Sequence, residues 1–91
     1  MNSTNLSETV ELMNSSNYRD RFKAEYMQTA IRYSKLKNMV EKYRENKLDF
    51  TPDCPLYLLE NQLDCMGTYL SILFQRSLIE KIDLTDVIAV L

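Results

Sequence analysis

Histidine is absent from this chain, glycine occurs once, at Gly67, and 91 residues include only two prolines and two cysteines. Each shortage removes a class of chemistry. Without histidine, triad hydrolysis and a histidine-containing metal site lack their parts, and Cys54 and Cys65 alone make no zinc site. A single glycine supplies no phosphate-cradling loop or dinucleotide-binding turn. No serine or cysteine stands in a recognisable nucleophile setting, so we expect no enzyme activity and no cofactor. No apolar stretch approaches the roughly 20 residues of a membrane-spanning helix. The start lacks the basic region and apolar run of a signal peptide. A cytosolic protein is the expectation.

What is present is helical periodicity. From Leu56 to Ile82 the chain carries two apolar seams. Leu56, Leu59, Leu63, Met66, Leu70 and Leu73 recur at steps of three and four, the signature of one buried helical face. Leu58, Cys65, Tyr69, Ile72 and Ile79 follow the same spacing beside it, interrupted only by Gln62 and Arg76. One partner helix does not cover both seams, so a third helix or another copy of the chain is required.

A second long helix runs from Asn17 to about Asn46, free of glycine and proline, with Phe22, Tyr26, Thr29, Tyr33, Leu36, Val40 and Tyr43 on one stripe. Asn17 is the expected N-cap, with Asp20 favouring the positive helix end and Lys42, Arg44 and Lys47 suiting the negative one. Pro52 and Pro55 break the chain between the helices and place a new helix start near Asp53 or Cys54. The predicted fold is all-α: a long antiparallel helical hairpin with a short N-terminal helix, assembling into a helical-bundle oligomer. Each arm is about 40 Å long at 1.5 Å per residue.

Three segments follow. Residues 1–16 hold a possible short helix capped by Asn5, with Leu6, Val10 and Met13 at helical spacing; residues 17–82 form the hairpin; residues 83–91 end in five consecutive apolar residues. That tail is expected to dock on a neighbouring subunit or on the second seam. Cys54 and Cys65 stand eleven residues apart, about 16 Å along a helix, too far to bond to each other. Cys65 reads as a small core residue.

Charge is unevenly divided. Residues 18–47 hold nine Lys and Arg against four Asp and Glu, and residues 48–91 hold two against seven, for a net charge of −2. Electrostatic pairing of the two arms accounts for this. A sharper pattern is one stripe of the first helix: Tyr18, Arg21, Glu25, Gln28, Arg32 and Lys35, at steps of three and four. An aromatic ring stacks on a nucleobase, cations hold phosphate oxygens, and Glu or Gln meets a base edge. An Arg21–Glu25 ion pair and a Tyr18 covering the helix start explain the same residues structurally, and the residues alone favour that account. An acidic chain without a continuous basic surface is not expected to bind long nucleic acid.

The runs Tyr18-Arg19-Asp20-Arg21-Phe22-Lys23-Ala24-Glu25 and Arg32-Tyr33-Ser34-Lys35-Leu36, with Leu59 to Leu70 and Arg76, resemble a family of small helical-hairpin proteins of bacteriophages. Leu48-Asp49-Phe50-Thr51-Pro52 with Cys54-Pro55 is similar to a subgroup in crAss-like phages. The hairpin resembles phage anti-CBASS and anti-Thoeris sponges, helical oligomers that sequester cyclic nucleotide immune signals without cleaving them. The resemblance covers about residues 17–82 and rests on a YxxR core and a QLxxMxxY-like stretch.

It implies that Tyr18 stacks at the mouth of a dinucleotide pocket, that Arg32 lies near a phosphate-contacting lysine position, and that Arg76 supplies a cation from the second helix. Arginine at position 32 changes the donor geometry and therefore the choice of ligand. Residues 1–16 and those from Asp83 depart from the sponge pattern. The expected protein is a homo-oligomer in the host cytoplasm. It binds a cyclic di- or trinucleotide or a cyclic ADP-ribose-type signal between subunits through Tyr18, Arg21, Glu25, Gln28, Arg32, Lys35 and Arg76. An alternative from another class is a phage inhibitor that binds a host immune effector or nuclease directly, through its acidic second arm or apolar tail.

Overall fold

The computed structural model describes residues 6–88. A 3-10 turn, Leu6–Thr9, runs into a one-turn helix α1, Val10–Met13; the long helices α2, Tyr18–Arg44, and α3, Leu56–Glu80, follow, and then a one-turn helix α4, Thr85–Ile88. The two long helices pack against each other as the expected hairpin. Their length sets the long dimension of a body 43 × 26 × 21 Å. Asn5, the expected cap of the first helix, lies outside the described residues, as do the last three residues of the apolar tail.

The ends of α2 are fixed by local chemistry. Asn17 is extended (φ −88°, ψ 119°), and its side-chain oxygen accepts the Arg19 N–H at 2.9 Å, one of the donors that a helix start leaves unpaired. The Asn17 N–H donates to Ser15 Oγ at 3.0 Å, and that hydroxyl donates to Asp20 at 2.8 Å. At the far end Asn46 turns left-handed (φ 59°) and Lys47 N–H reaches back to the Lys42 carbonyl at 2.8 Å, the closing bond of a Schellman ending.

Helix α3 begins at Leu56, two or three residues later than the expected start near Asp53 or Cys54, because Pro55 disfavours helical backbone at Cys54. The Pro55 carbonyl accepts from Leu58 and Leu59 N–H at 3.1 and 3.4 Å. Lys81 ends the helix at φ 58°, and Ile82 N–H bonds the Ser77 carbonyl at 2.9 Å.

Helix α2 is the hub. Phe22 and Val40 are buried on one side of it, while Ala24 and Ile31, which helical spacing puts on the opposite side, are buried as well. The N-terminal turn and α1 pack on α2, tied down by Thr9. This fully buried hydroxyl accepts from Gln28 at 2.7 Å and donates to the Leu6 carbonyl at 2.7 Å. From the other terminus, Ile82, Leu84 and Val87 join Phe22, Met27, Ile31 and Leu73 in one buried cluster, and Lys23 pairs with Asp86 at 3.3 Å.

The described part of the C-terminal tail therefore docks on the chain's own first long helix. Within the chain it does not take the second seam of α3, because Phe22, Met27 and Tyr26 already offer it an apolar seat.

Where the long helices cross, Gly67 faces the ring of Tyr33. A Cβ built at Gly67 would stand 3.4 Å from a ring carbon, ordinary van der Waals contact, so the ring packs closely on this glycine without excluding a methyl group there.

Lys81 holds a left-handed backbone that only glycine adopts without cost. Lys81→Gly should therefore stabilise the fold by about 0.5–1 kcal/mol and raise Tm by a few degrees. Thermal unfolding followed by circular dichroism checks this, and a lowered Tm contradicts the assigned helix ending.

Candidate functional site

The open end of the hairpin, where α2 starts and α3 finishes, gathers aromatic and guanidinium groups. Arg76 sits over the Phe22 ring at 4.9 Å and bonds Glu80 with both ends of its fork, Nε to Oε2 at 2.7 Å and Nη2 to Oε1 at 3.3 Å. Arg19 lies over the Tyr18 ring at 5.5 Å, and its Nη1 donates to the Glu80 and Lys81 carbonyls, both at 3.1 Å. Arg19 thereby satisfies acceptors that the end of α3 leaves open.

The hydrogen bond to Glu80 raises the Arg76 pKa against an opposing desolvation effect, with the Glu80 and Glu25 charges adding to the rise and Tyr18 close by. Glu80 is held below the usual carboxylate range, first by the Arg76 hydrogen bond, against an opposing desolvation effect, and further by the Arg76 charge, a Tyr18 hydroxyl hydrogen bond and Arg19. Tyr18 keeps an exposed ring at the edge of this cluster.

The stripe predicted on α2 is divided in four. Tyr18 and Glu25 share the electrostatic neighbourhood of Arg76. Arg21 and Gln28 are taken up by the N-terminal segment. Arg21 Nη1 donates to the Ser15 carbonyl at 2.8 Å rather than pairing with Glu25, and the Gln28 amide donates to Thr9 and to Met13 Sδ. Arg32 is exposed and has no ion pair among the described residues. Lys35 stands seventeen residues from Tyr18, about 25 Å along the helix, and lines a cleft at the closed end of the hairpin. A small ligand held within one chain does not reach both.

Sequence reasoning missed Arg19, Phe22 and Glu80 as members of the cluster. The spacing of Arg76 and Glu80, an i,i+4 pair on one helix, was the available signal.

The second seam of α3 is uncovered. Leu58 and Ile72 are about half exposed and Ile79 is 81 % exposed. Tyr69 is exposed as well, and so is Cys65, which corrects its reading as a core residue. Which of two parallel seams faces α2 is decided by the whole fold, and Leu63, Leu73 and Ser77 take that place. Arg76 lies inside the bare strip, between Ile72 and Ile79 at steps of four and three, so the cluster and the strip are one continuous surface. A contiguous exposed apolar strip of this kind marks an interaction surface. Among the described residues, no helix is long and apolar enough to cross a membrane.

These features define an all-helical hairpin protein that offers an aromatic–guanidinium cluster on the rim of an apolar face. The chain belongs to the Sequestin family, whose profile matches residues 16–79, from the cap of α2 to the last turn of α3. Its name marks a sequestering protein, which binds a ligand and withholds it. Tyr18, Arg32, Arg76 and the α3 strip from Leu58 to Ile79 all fall inside the matched residues, whereas α1 and α4 fall outside. No curated protein and no solved structure matches the chain.

The lowered Glu80 pKa has a pH consequence. A carboxylate whose folded pKa lies below its unfolded one contributes stability that is fully present above the unfolded value and is lost as pH falls through the folded one. Melting temperatures should therefore fall on acidification below about pH 5, and Glu80→Gln should show a shallower fall over that window. Parallel profiles for the two proteins would show that the Arg76–Glu80 pair does not couple to folding.

Proposed function

We propose that this protein sequesters a cyclic nucleotide immune signal, a cyclic di- or trinucleotide or a cyclic ADP-ribose-type molecule, between subunits and without cleaving it. The observation that carries the reading is the position of Arg76 within the uncovered apolar strip of α3, beside the exposed Tyr18 ring. A second copy laid along that strip removes Leu58, Tyr69, Ile72 and Ile79 from water. In doing so it turns the Tyr18–Arg76 edge into a crevice.

Within such a crevice each group has a role. The Tyr18 ring stacks on a base, a sequence-tolerant contact of about 1–3 kcal/mol. Arg32 stands fourteen residues from Tyr18, about 21 Å along α2, so it meets the phosphate of the same ligand only where a second copy brings the two positions together. Arg76 exchanges part of its bond with Glu80 for phosphate oxygens, and its planar fork suits two of them at once. Glu80 and Glu25 then set a selectivity limit: a ligand must present anionic oxygens to the guanidinium and not to the carboxylates. Desolvation by the strip strengthens each of these contacts.

The protein acts by mass action in the host cytoplasm. It has to outnumber the signal and release it slowly, which calls for a Kd of about 1 nM or tighter, near −12 kcal/mol. The family's sequestering name and the absence of histidine both suit binding without turnover.

Isothermal titration calorimetry against a panel of cyclic di- and trinucleotides and cyclic ADP-ribose isomers tests the reading. At least one ligand is expected to bind at nanomolar affinity and to be recovered intact. Tyr18→Ala should weaken it by about 10-fold or more, the value of one lost stacking contact. Ile72→Asp, on the exposed strip, should weaken it by about 100-fold, near 2.7 kcal/mol, with helical content retained. No heat with any ligand, or full affinity in Ile72→Asp, contradicts the proposal. Capture of a host effector that is indifferent to Tyr18→Ala would favour direct inhibition instead.

A further inference from the structure

The closed end of the hairpin carries a second concentration of positive charge, about 25 Å from Tyr18 along α2. Lys35, Asn38, Met39 and Lys42 of α2 form one wall of a cleft of about 350 Å³, and Lys47 with Phe50 from the connecting loop forms the other. The left-handed turn at Asn46 and the Lys47 N–H bond to Lys42 fold the loop back over the last turn of α2, which fixes the two walls relative to each other. Phe50 is 54 % exposed, an aromatic ring in a loop with much of its face in water.

Three ammonium groups meet one carboxylate in the lining, that of Asp49, and Lys47 also pairs with Glu45 at 3.3 Å. Lys35 and Lys42 have no ion pair among the described residues, although the second arm is rich in carboxylates. Lysines near a helix C-terminus ordinarily complement its partial negative charge, but that effect fades within the last turn. It accounts for Lys42 and not for Lys35, which stands more than two turns before Arg44. Arg44, the cation nearest the helix end, pairs with Glu60 across the hairpin at 2.7 Å and leaves the cleft to the lysines.

We infer that this cleft is a second binding site, for a small nucleotide carrying two or more linked phosphates. Flexible ammonium groups bind phosphate as point charges, the Phe50 ring stacks on a base, and the Asn38 amide meets its edge or the sugar hydroxyls. The inference does not rest on the sequestration reading, because no residue of the Tyr18–Arg76 cluster lines the cleft.

The test is nuclear magnetic resonance titration of the isotopically labelled full chain at low ionic strength, with ADP and with pyrophosphate as probes. ADP should shift amide resonances within residues 35–50 and bind more tightly than pyrophosphate. Phe50→Ala should weaken ADP by about 10-fold, one lost stacking contact, and leave pyrophosphate unchanged. Lys42→Gln should weaken both, and Tyr18→Ala neither. Both altered positions are exposed, and circular dichroism confirms that the variants fold.

No shifts within residues 35–50 would overturn the inference. So would ADP binding that ignores both Phe50→Ala and Lys42→Gln, or occupation of the cleft by a polyglutamate peptide but not by ADP. Binding that Phe50→Ala and Lys42→Gln weaken but Tyr18→Ala and Ile72→Asp do not sinks the sequestration reading alone, and the converse sinks this one alone.

Discussion

Burial of α2 from several sides is the constraint on which the rest of the structure depends. Phe22 and Val40 sit on one side of it, Ala24 and Ile31 on the opposite one, and the segments before and after the hairpin both seat themselves on this helix. The chain's spare apolar pieces are therefore spent on α2, and none of its described residues is left to cover the outer seam of α3. Leu58, Ile72 and Ile79 stay in water although their helix is the more apolar of the two.

The same division shapes the polar groups. Docking of the N-terminal turn engages Gln28 through Thr9, and the loop after α1 engages Arg21 through the Ser15 carbonyl. The arginines at the hairpin's open end close around Glu80 and the last carbonyls of α3. What remains accessible is the Tyr18 ring and the outer side of Arg76, at the edge of the bare strip, and Arg32 farther along α2. These groups fall within the residues matched to the Sequestin family, and the sequestration reading proposed above rests on them.

Much of this was legible beforehand, for identifiable reasons. The steps of three and four along α2 and α3, the two prolines between them and the Asn17 cap are local signals, and local signals set helices and their ends. The long-range choices were not legible. Two parallel seams on α3 look alike to periodicity, so Cys65 was assigned to the core although it faces water. Ala24 is too small to mark a buried side of α2, and the partners of Arg21 and Gln28 are a backbone carbonyl and a hydroxyl, which no charge pattern announces. Arg19 and Glu80 lie 61 positions apart, and only the completed hairpin brings them together.

The central claim is that a second copy of the chain covers the outer seam of α3. Sedimentation equilibrium over a range of protein concentrations measures it most directly. The account predicts a mass that is a multiple of the 10.7 kDa protomer, dimeric or larger, at micromolar concentration. A species that remains at 10.7 kDa throughout the range would contradict it.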